Sequence, residues 1–166
     1  MHEPRTIQEI ETPAALVEVD RMRANLRRAA EYCRLHRLAW RPHAKTHKVP
    51  ALAAEQLRAG AVGVTVATPR EAEVMASVAD DILLAYPPFG ASKLERLMAL
   101  PEHVRLTVGL DSEDALRPLA AAAREAGRVV GILVELDLGM RRIGIQRAEE
   151  AVILARMAGD LGLAYR

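Results

Sequence analysis

The chain has 166 residues, with 23 basic against 22 acidic side chains and a formal net charge of +1. Hydrophobic residues make up 51% of it and charged residues 27%, which suffices for a packed core and excludes a disordered or collagen-like chain. The balanced charge argues against nucleic-acid partners, and the single cysteine, Cys33, excludes an internal disulfide. No apolar run reaches the roughly 20 residues of a membrane span, and the N-terminus lacks a signal-peptide pattern, so we expect a cytoplasmic protein without a membrane partner.

Short runs of strand-forming residues alternate with helical stretches along the chain. An extended segment at 15–19 precedes a helix from Asp20 to about His36, and 38–41 is predicted as the first strand of a sheet. Further helices are predicted at 49–59, 69–78, 92–100, 112–126 and 147–161. Further strands are predicted at 62–66, 82–86, 104–108 and 129–136, and a sixth is expected to begin at 163.

This alternation predicts right-handed βαβ units and a parallel sheet in an α/β fold. The strands are apolar on both faces, as a sheet covered on both sides requires. Both a doubly wound sheet and a (β/α) barrel have this rhythm, but a closed barrel needs eight strands and roughly 250 residues. With five strands from Leu38 onward, we favour a parallel (β/α) barrel that is truncated after about five barrel strands.

The first candidate site is the lysine segment, residues 41–48, with the sequence Arg-Pro-His-Ala-Lys-Thr-His-Lys. It follows the first predicted barrel strand, and chemistry in parallel α/β proteins gathers at the carboxyl ends of strands. The chain has 20 arginines and only 3 lysines, and two of those lysines, Lys45 and Lys48, stand here. Nearby positive charge favours the free-amine form of Lys45 that a Schiff-base lysine requires. A solvated basic turn, a phosphate-binding patch and a metal pair formed by His43 and His47 remain alternatives.

Other unusual residues also follow predicted strands. The arginine loop, residues 137–144 (Asp-Leu-Gly-Met-Arg-Arg-Ile-Gly), has glycines on both sides of an arginine pair, consistent with a tight loop that aims one guanidinium inward. A plain surface loop is the alternative. We interpret Thr68 before Pro69 mainly as a helix N-cap and 86–90 as a rigid turn, with a pocket wall as the alternative for the latter.

Four stretches occur in an order typical of one enzyme family: 12–14 (Thr-Pro-Ala), the lysine segment, 63–68 (Gly-Val-Thr-Val-Ala-Thr) and the arginine loop. Together they resemble the D-threonine aldolase / D-serine dehydratase family, pyridoxal-phosphate (PLP) enzymes whose barrel is of the alanine racemase type. The lysine segment is highly specific to that family, whereas the arginine loop is shared more broadly with alanine racemases. The resemblance covers nearly all of this chain but only the N-terminal part of a family member.

The resemblance implies a role for each matching residue. Lys45 matches the family's Schiff-base lysine, which holds the cofactor and exchanges protons at the substrate Cα. Arg142 matches the arginine beside the cofactor's phenolic oxygen, and His43 and Thr65 are expected to border its ring. The implied activity is a PLP-dependent lyase acting on D-β-hydroxy amino acids, by retro-aldol cleavage or by dehydration. An amino-acid racemase, a non-catalytic PLP-binding protein of the same fold and an inactive fragment are the alternatives.

The resemblance also implies an architecture. Residues 1–20 form an N-terminal segment whose strand, 15–19, is expected to join a C-terminal β-domain missing from this chain, and residues 21–166 form the partial PLP-binding barrel. The family's phosphate-binding groups and the ligands of its divalent metal belong to later strands, so no metal ligand is assigned here. The implied partners are a small-molecule D-amino acid substrate and, for the full-length protein, a second copy in a homodimer.

Overall fold

The computed structural model describes residues 6–165, in which helices and strands alternate. The helices are α1 (Val19–Leu35), α2 (Pro50–Arg58), α3 (Pro69–Met75), α4 (Ala91–Met98), α5 (Glu113–Glu125) and α6 (Ala148–Asp160). The strands are β1 (Val64–Val66), β2 (Asp81–Leu84), β3 (Arg105–Leu110), β4 (Gly131–Val134) and β5 (Ala164–Tyr165), and short 3-10 helices lie at Ile7–Glu9 and Ala44–Thr46. No helix within this range is long and apolar enough to cross a membrane.

The strands of the described range form one parallel sheet in the order β1-β2-β3-β4-β5. A doubly wound sheet reverses its strand order at a switch point, whereas a (β/α) barrel adds each strand beside the preceding one. The observed order therefore confirms the barrel-type prediction and excludes the doubly wound alternative. Because parallel strands align their carboxyl ends, the segments that follow β1, β2 and β4 share one end of the sheet.

The two faces of the sheet differ in composition. Alternate strand residues join helix residues in one hydrophobic core, and the largest fully buried of them include Ile82, Leu106, Val108, Leu97 and Leu116. The intervening positions form a row that is in register across the strands, and all but Leu83 are smaller or more polar than the core residues: Thr65, Leu83, Thr107, Gly131 and Ala164. Side chains alternate between the faces of a strand, so the apolar set packs against the helices and the other set lines the inner face.

Helix boundaries agree with the sequence prediction to within a few residues. Thr68 caps α3 as expected, since its hydroxyl accepts the Glu71 N–H at 3.2 Å. Gly60, Gly127 and Gly162 follow α2, α5 and α6 with positive φ angles, the conformation that ends helices. The capping residues and glycines therefore predicted the helix boundaries well.

The prediction of a strand at 38–41 was wrong. This segment runs beside β1, where the Trp40 carbonyl accepts the Val62 N–H at 2.9 Å and the Pro42 carbonyl accepts the Thr65 N–H at 2.8 Å. The ladder is reduced to a single parallel bridge between His43 and Thr65. Pro42 has no N–H to donate, which limits pairing, and the chain turns into the 3-10 helix at Ala44.

Two other strand predictions had different outcomes. The strand expected from 163 onward is present as the short β5. The segment 15–19 forms no strand: residues 14–18 lack regular structure and are exposed, and Val19 already begins α1. An isolated strand leaves its N–H and C=O groups unpaired, and the β-domain that it is expected to join lies outside this chain. The division at residue 20 stays a prediction.

Candidate active site

A pocket of about 340 Å³ opens at the carboxyl end of the sheet. Its walls come from the lysine segment, from residues directly after β2 and from the arginine loop after β4. The titratable and polar side chains in these walls are those of His43, Lys45, Tyr86, Glu135, Asp137 and Arg142. Three of the four site residues predicted from the sequence therefore line one pocket.

The fourth predicted residue, Thr65, lies elsewhere. It is in the middle of β1, is 8% exposed, and contacts the site through its bridge to His43. It does not line the pocket. A role for Thr65 at the cofactor ring stays a prediction.

The lysine segment presents Lys45 from a one-turn 3-10 helix. His43 precedes this turn, and its Nδ1 accepts the Lys45 backbone N–H at 3.3 Å. Ala44 is fully buried and fixes the turn to the core, while the Lys45 side chain is exposed to the pocket. Among residues 6–165, nothing forms a hydrogen bond or ion pair with the Lys45 amine, whereas the Lys48 ammonium lies 3.2 Å from Glu71 Oε1. The structure thus separates the two lysines: Lys45 is available to a ligand and Lys48 is paired.

His43 is a neutral imidazole at neutral pH. Burial lowers its pKa first and the Lys45 charge lowers it further, while Glu71 and a hydrogen bond to the Thr65 backbone oppose the shift. His47 likewise uses its Nδ1 to accept a backbone N–H, that of Val49, at 3.0 Å. Both histidines thus act as local turn caps, and the described part of the chain groups no three His, Cys, Asp or Glu side chains that could hold a metal ion.

The arginine loop is a closed structure. At its base, the Asp137 N–H donates to the Ile145 carbonyl at 2.9 Å and the Ile145 N–H donates to the Glu135 carbonyl at 2.8 Å. Asp137 Oδ1 accepts the N–H groups of Gly139 at 2.9 Å and of Arg141 at 3.0 Å, which holds the tip. Such internal bonding gives the arginine that follows a defined direction.

Arg142 points across the pocket to the other wall. Its guanidinium donates a hydrogen bond to the Tyr86 hydroxyl, and its Cζ lies 5.7 Å from the centre of the Tyr86 ring. A rigid turn is the favoured prediction for 86–90 and a pocket wall is its alternative; in the structure Tyr86 is a wall residue. The available signal was an aromatic residue at the end of the predicted strand 82–86.

Glu135 is the residue that the sequence analysis missed. Its carboxyl group lies over Gly109, where a Cβ atom would overlap Oε1, and within residues 6–165 its side chain has no hydrogen bond or ion pair. Burial raises the pKa of Glu135, and the nearby charge of Asp111 raises it further. An acidic residue near the end of the longest predicted strand, 129–136, was the sequence signal.

Replacing Glu135 with glutamine is expected to stabilise the protein more at about pH 8 than at about pH 4. The folded-state pKa of Glu135 is above its ordinary value, so its contribution to stability is present below the unfolded pKa and is lost as the pH rises through the folded pKa. Glutamine has no such dependence. Thermal melts of both proteins across this range measure the difference, with Glu125→Gln on the exposed end of α5 as the control. A Glu135→Gln effect that does not change with pH would contradict the assignment.

Comparison with known proteins places this geometry in a family. The family model "Alanine racemase, N-terminal domain" matches residues 17–164. The D-threonine aldolase of Arthrobacter sp is 33% identical over 153 residues, covering 92% of this chain and 40% of that protein. The 3-hydroxy-D-aspartate aldolase of Paracoccus denitrificans is also 33% identical over 153 residues, with 90% and 40% covered.

A solved structure agrees. The crystal structure of D-threonine aldolase from Filomicrobium marinum superposes with a TM-score of 0.90 at 33% identity, over 96% of this chain and 44% of that one. The chain therefore spans about two-fifths of the length of the curated relatives that it matches. The matched residues and the superposed fold confirm the resemblance seen in the sequence: the chain belongs to the alanine racemase N-terminal domain family.

Proposed function

We propose that this chain is the lysine-bearing part of a PLP-dependent lyase that acts on D-β-hydroxy amino acids. The observation that carries the proposal is the position of Lys45, an unpaired amine in a pocket at the carboxyl end of a barrel-type sheet. Arg142 stands in the same pocket. The relatives named D-threonine aldolase and 3-hydroxy-D-aspartate aldolase support this reaction class.

The residues present fit the cofactor chemically. PLP supplies an aldehyde that condenses with a lysine amine and a conjugated ring that draws electron density from the substrate Cα. Lys45 offers the amine, and the Arg142 guanidinium offers a pair of donors for an anionic oxygen. The described residues provide no three-ligand metal site, so a divalent metal has no assigned ligand in this part of the protein.

The chain's own residues divide the work as follows. Lys45 Nζ would hold the cofactor and would hold or return a proton at the substrate Cα. The Arg142 guanidinium would donate to an oxygen of the cofactor and favour its anionic form. The hydrogen bond to the Tyr86 hydroxyl fixes the direction of the guanidinium. His43 stays neutral at neutral pH, so it adds no positive charge beside the amine. The apolar side chains of Leu136, Leu138 and Met140 form much of the remaining wall.

The proposal is tested with protein expressed from its complete reading frame, supplied with PLP and a divalent metal ion, and given D-threonine, L-threonine and D-alanine separately. We expect D-threonine alone to be consumed, giving either glycine and acetaldehyde or 2-oxobutanoate and ammonia. The first pair of products identifies Cα–Cβ cleavage and the second identifies elimination of the β-hydroxyl. Interconversion of D- and L-alanine without cleavage would identify a racemase, and bound cofactor without turnover would identify a carrier; either result would overturn the proposal.

Two wider features belong to the same proposal. We expect the whole protein to act as a homodimer in the cytoplasm. The presence of only one cysteine, Cys33, in these 166 residues supports the cytoplasmic location. Sedimentation of the full-length protein measures the first. A monomer that retains full lyase activity would contradict it.

A further inference from the structure

Residues 6–165 bury two acidic side chains, Glu71 and Asp81, each 8% exposed. Buried carboxylates require partners, because an unpaired charge in the interior is strongly unfavourable. Each of the two has a basic partner in the lysine segment: Arg41 for Asp81 and Lys48 for Glu71. The partners lie four residues before and three residues after Lys45.

The first ion pair, between Arg41 and Asp81, is called here the Arg41 anchor, and its geometry is well defined. Its Nη1 lies 2.7 Å from Asp81 Oδ1, and the other carboxylate oxygen, Oδ2, accepts a hydrogen bond from Arg105 Nε at 2.8 Å. The lack of a side chain at Gly63 leaves room for Arg41, since a Cβ atom there would overlap the guanidinium. Burial alone would raise the pKa of Asp81, but the two arginines outweigh it and hold the pKa below its ordinary value. The anchor is therefore charged on both sides at neutral pH.

In the second ion pair, the Lys48 anchor, the Glu71 carboxylate is held rigidly. Glu71 Oε2 accepts the Ala67 N–H at 2.8 Å, and Thr68 caps the Glu71 N–H, so the carboxylate is fixed by the start of α3. Lys48 reaches Glu71 Oε1 from a backbone with φ of 54°, a region that favours glycine.

These anchors meet a specific need of the lysine segment. Strand residues are held by ladders of backbone hydrogen bonds, but this segment has one bridge, His43–Thr65, and a single 3-10 turn. Reactive groups lose rate steeply when they are displaced by about 1 Å. The bridge and the buried Ala44 hold the start of the turn, and the side-chain anchors on both sides of Lys45 add the remaining restraint on the position of its amine relative to Arg142.

We propose that the Arg41–Asp81 and Lys48–Glu71 ion pairs are positioning contacts that clamp the lysine segment on both sides of Lys45 and set the reactivity of its amine. The inference rests on the proposed function, because it assigns Arg41 and Lys48 to the placement of the cofactor-binding lysine. Neither residue touches the pocket, so both act through Lys45.

The test measures how fast Lys45 is fixed to added PLP in the presence of cyanoborohydride, in full-length protein at a temperature well below its melting point. Peptide mass mapping separates Lys45 from Lys48 and Lys93. Lys48→Met and Arg41→Gln remove one anchor each, and Lys48→Arg keeps the charge. The matched control is Arg96→Met, which removes an ion pair at 2.9 Å with Glu73. Glu73 lies near Glu71 on α3 but, among residues 6–165, its ion pairs are with Arg70 and Arg96 and not with the lysine segment.

We expect Lys48→Met and Arg41→Gln to slow the labelling of Lys45 by about tenfold or more, and Lys48→Arg to restore most of the rate. Arg96→Met is expected to label at nearly the original rate. Lys48 is about two-thirds exposed, so Lys48→Met is the variant that folds most safely and decides the matter if Arg41→Gln does not fold.

The failures of the two proposals are distinguishable. Equal labelling of Lys45 in Lys48→Met and Arg96→Met would overturn the clamp and leave the proposed function intact. Labelling that maps to another lysine in the unmodified protein would overturn the proposed function itself.

Discussion

Replacing Lys45 with alanine is expected to reduce lyase activity by on the order of 10⁴-fold or more and to remove the cofactor's visible absorption. The structure gives the physical reason, because Lys45 supplies the amine of the pocket that has no hydrogen bond or ion pair among the described residues. The delocalised guanidinium of Arg142 cannot replace that amine as a nucleophile. Turnover of D-threonine and the absorption spectrum of purified full-length protein measure the effect.

Lys93→Ala is the matched control, since it removes an exposed lysine of α4 far along the chain from the site. We expect this variant to retain both activity and absorption. Retention of both in Lys45→Ala, or their loss in Lys93→Ala, would show that the cofactor lysine has been assigned wrongly.

Replacing Gly144 with alanine is expected to disrupt the arginine loop and reduce activity by roughly 10- to 100-fold. Gly144 has a φ of +111°, and a Cβ atom there would lie 2.5 Å from the Asp137 backbone nitrogen and 2.7 Å from the Leu136 carbonyl carbon. Backbone atoms cannot move aside as the end of a flexible side chain can. The Gly144 N–H also donates to Asp111 Oδ2 at 2.8 Å, so any shift breaks a bond that holds the loop in place.

The Gly139→Ala variant is the control that distinguishes the overlap of an added Cβ atom from the strain of a positive φ angle. Gly139 lies in the same loop with a φ of +108°, but a Cβ atom there meets nothing within 4 Å. Both substitutions strain the backbone by roughly 1–3 kcal/mol, whereas the overlap is specific to Gly144. We therefore expect a larger loss of thermal stability and activity in Gly144→Ala. Equal losses in the two variants would mean that the contact with Asp137 does not shape the loop.

The sequence predicted the order of elements well because each prediction rested on local signals. Thr68 and Pro69 mark the start of α3, and Gly60 and Gly127 mark the ends of α2 and α5, with geometry that these residue types favour in any fold. The strand at 38–41 failed for the opposite reason. Strand formation depends on a neighbour's hydrogen bonds, and Pro42 interrupts them beside β1.

The residues of the candidate site also fall into those that local sequence signals predicted and those that depend on contacts in the fold. Lys45, His43 and Arg142 were found because unusual residue types stand directly after strands or carry a family pattern. Glu135 was missed, and a pocket wall was only the alternative for Tyr86, because the importance of both arises from contacts across the pocket, Glu135 over Gly109 and Tyr86 with Arg142. Nor did the sequence show that Lys48 is paired: its partner, Glu71, is distant along the chain and comes close only when α3 packs beside the lysine segment.

The most direct test of the central claim is to locate the lysine that holds PLP. Full-length protein loaded with the cofactor is reduced with borohydride, digested and analysed by mass spectrometry. The account predicts a pyridoxyl group on the peptide that contains Lys45, with Lys48 and Lys93 unmodified. A pyridoxyl group on Lys48, on Lys93 or on a lysine outside residues 1–166, with Lys45 free, would contradict it.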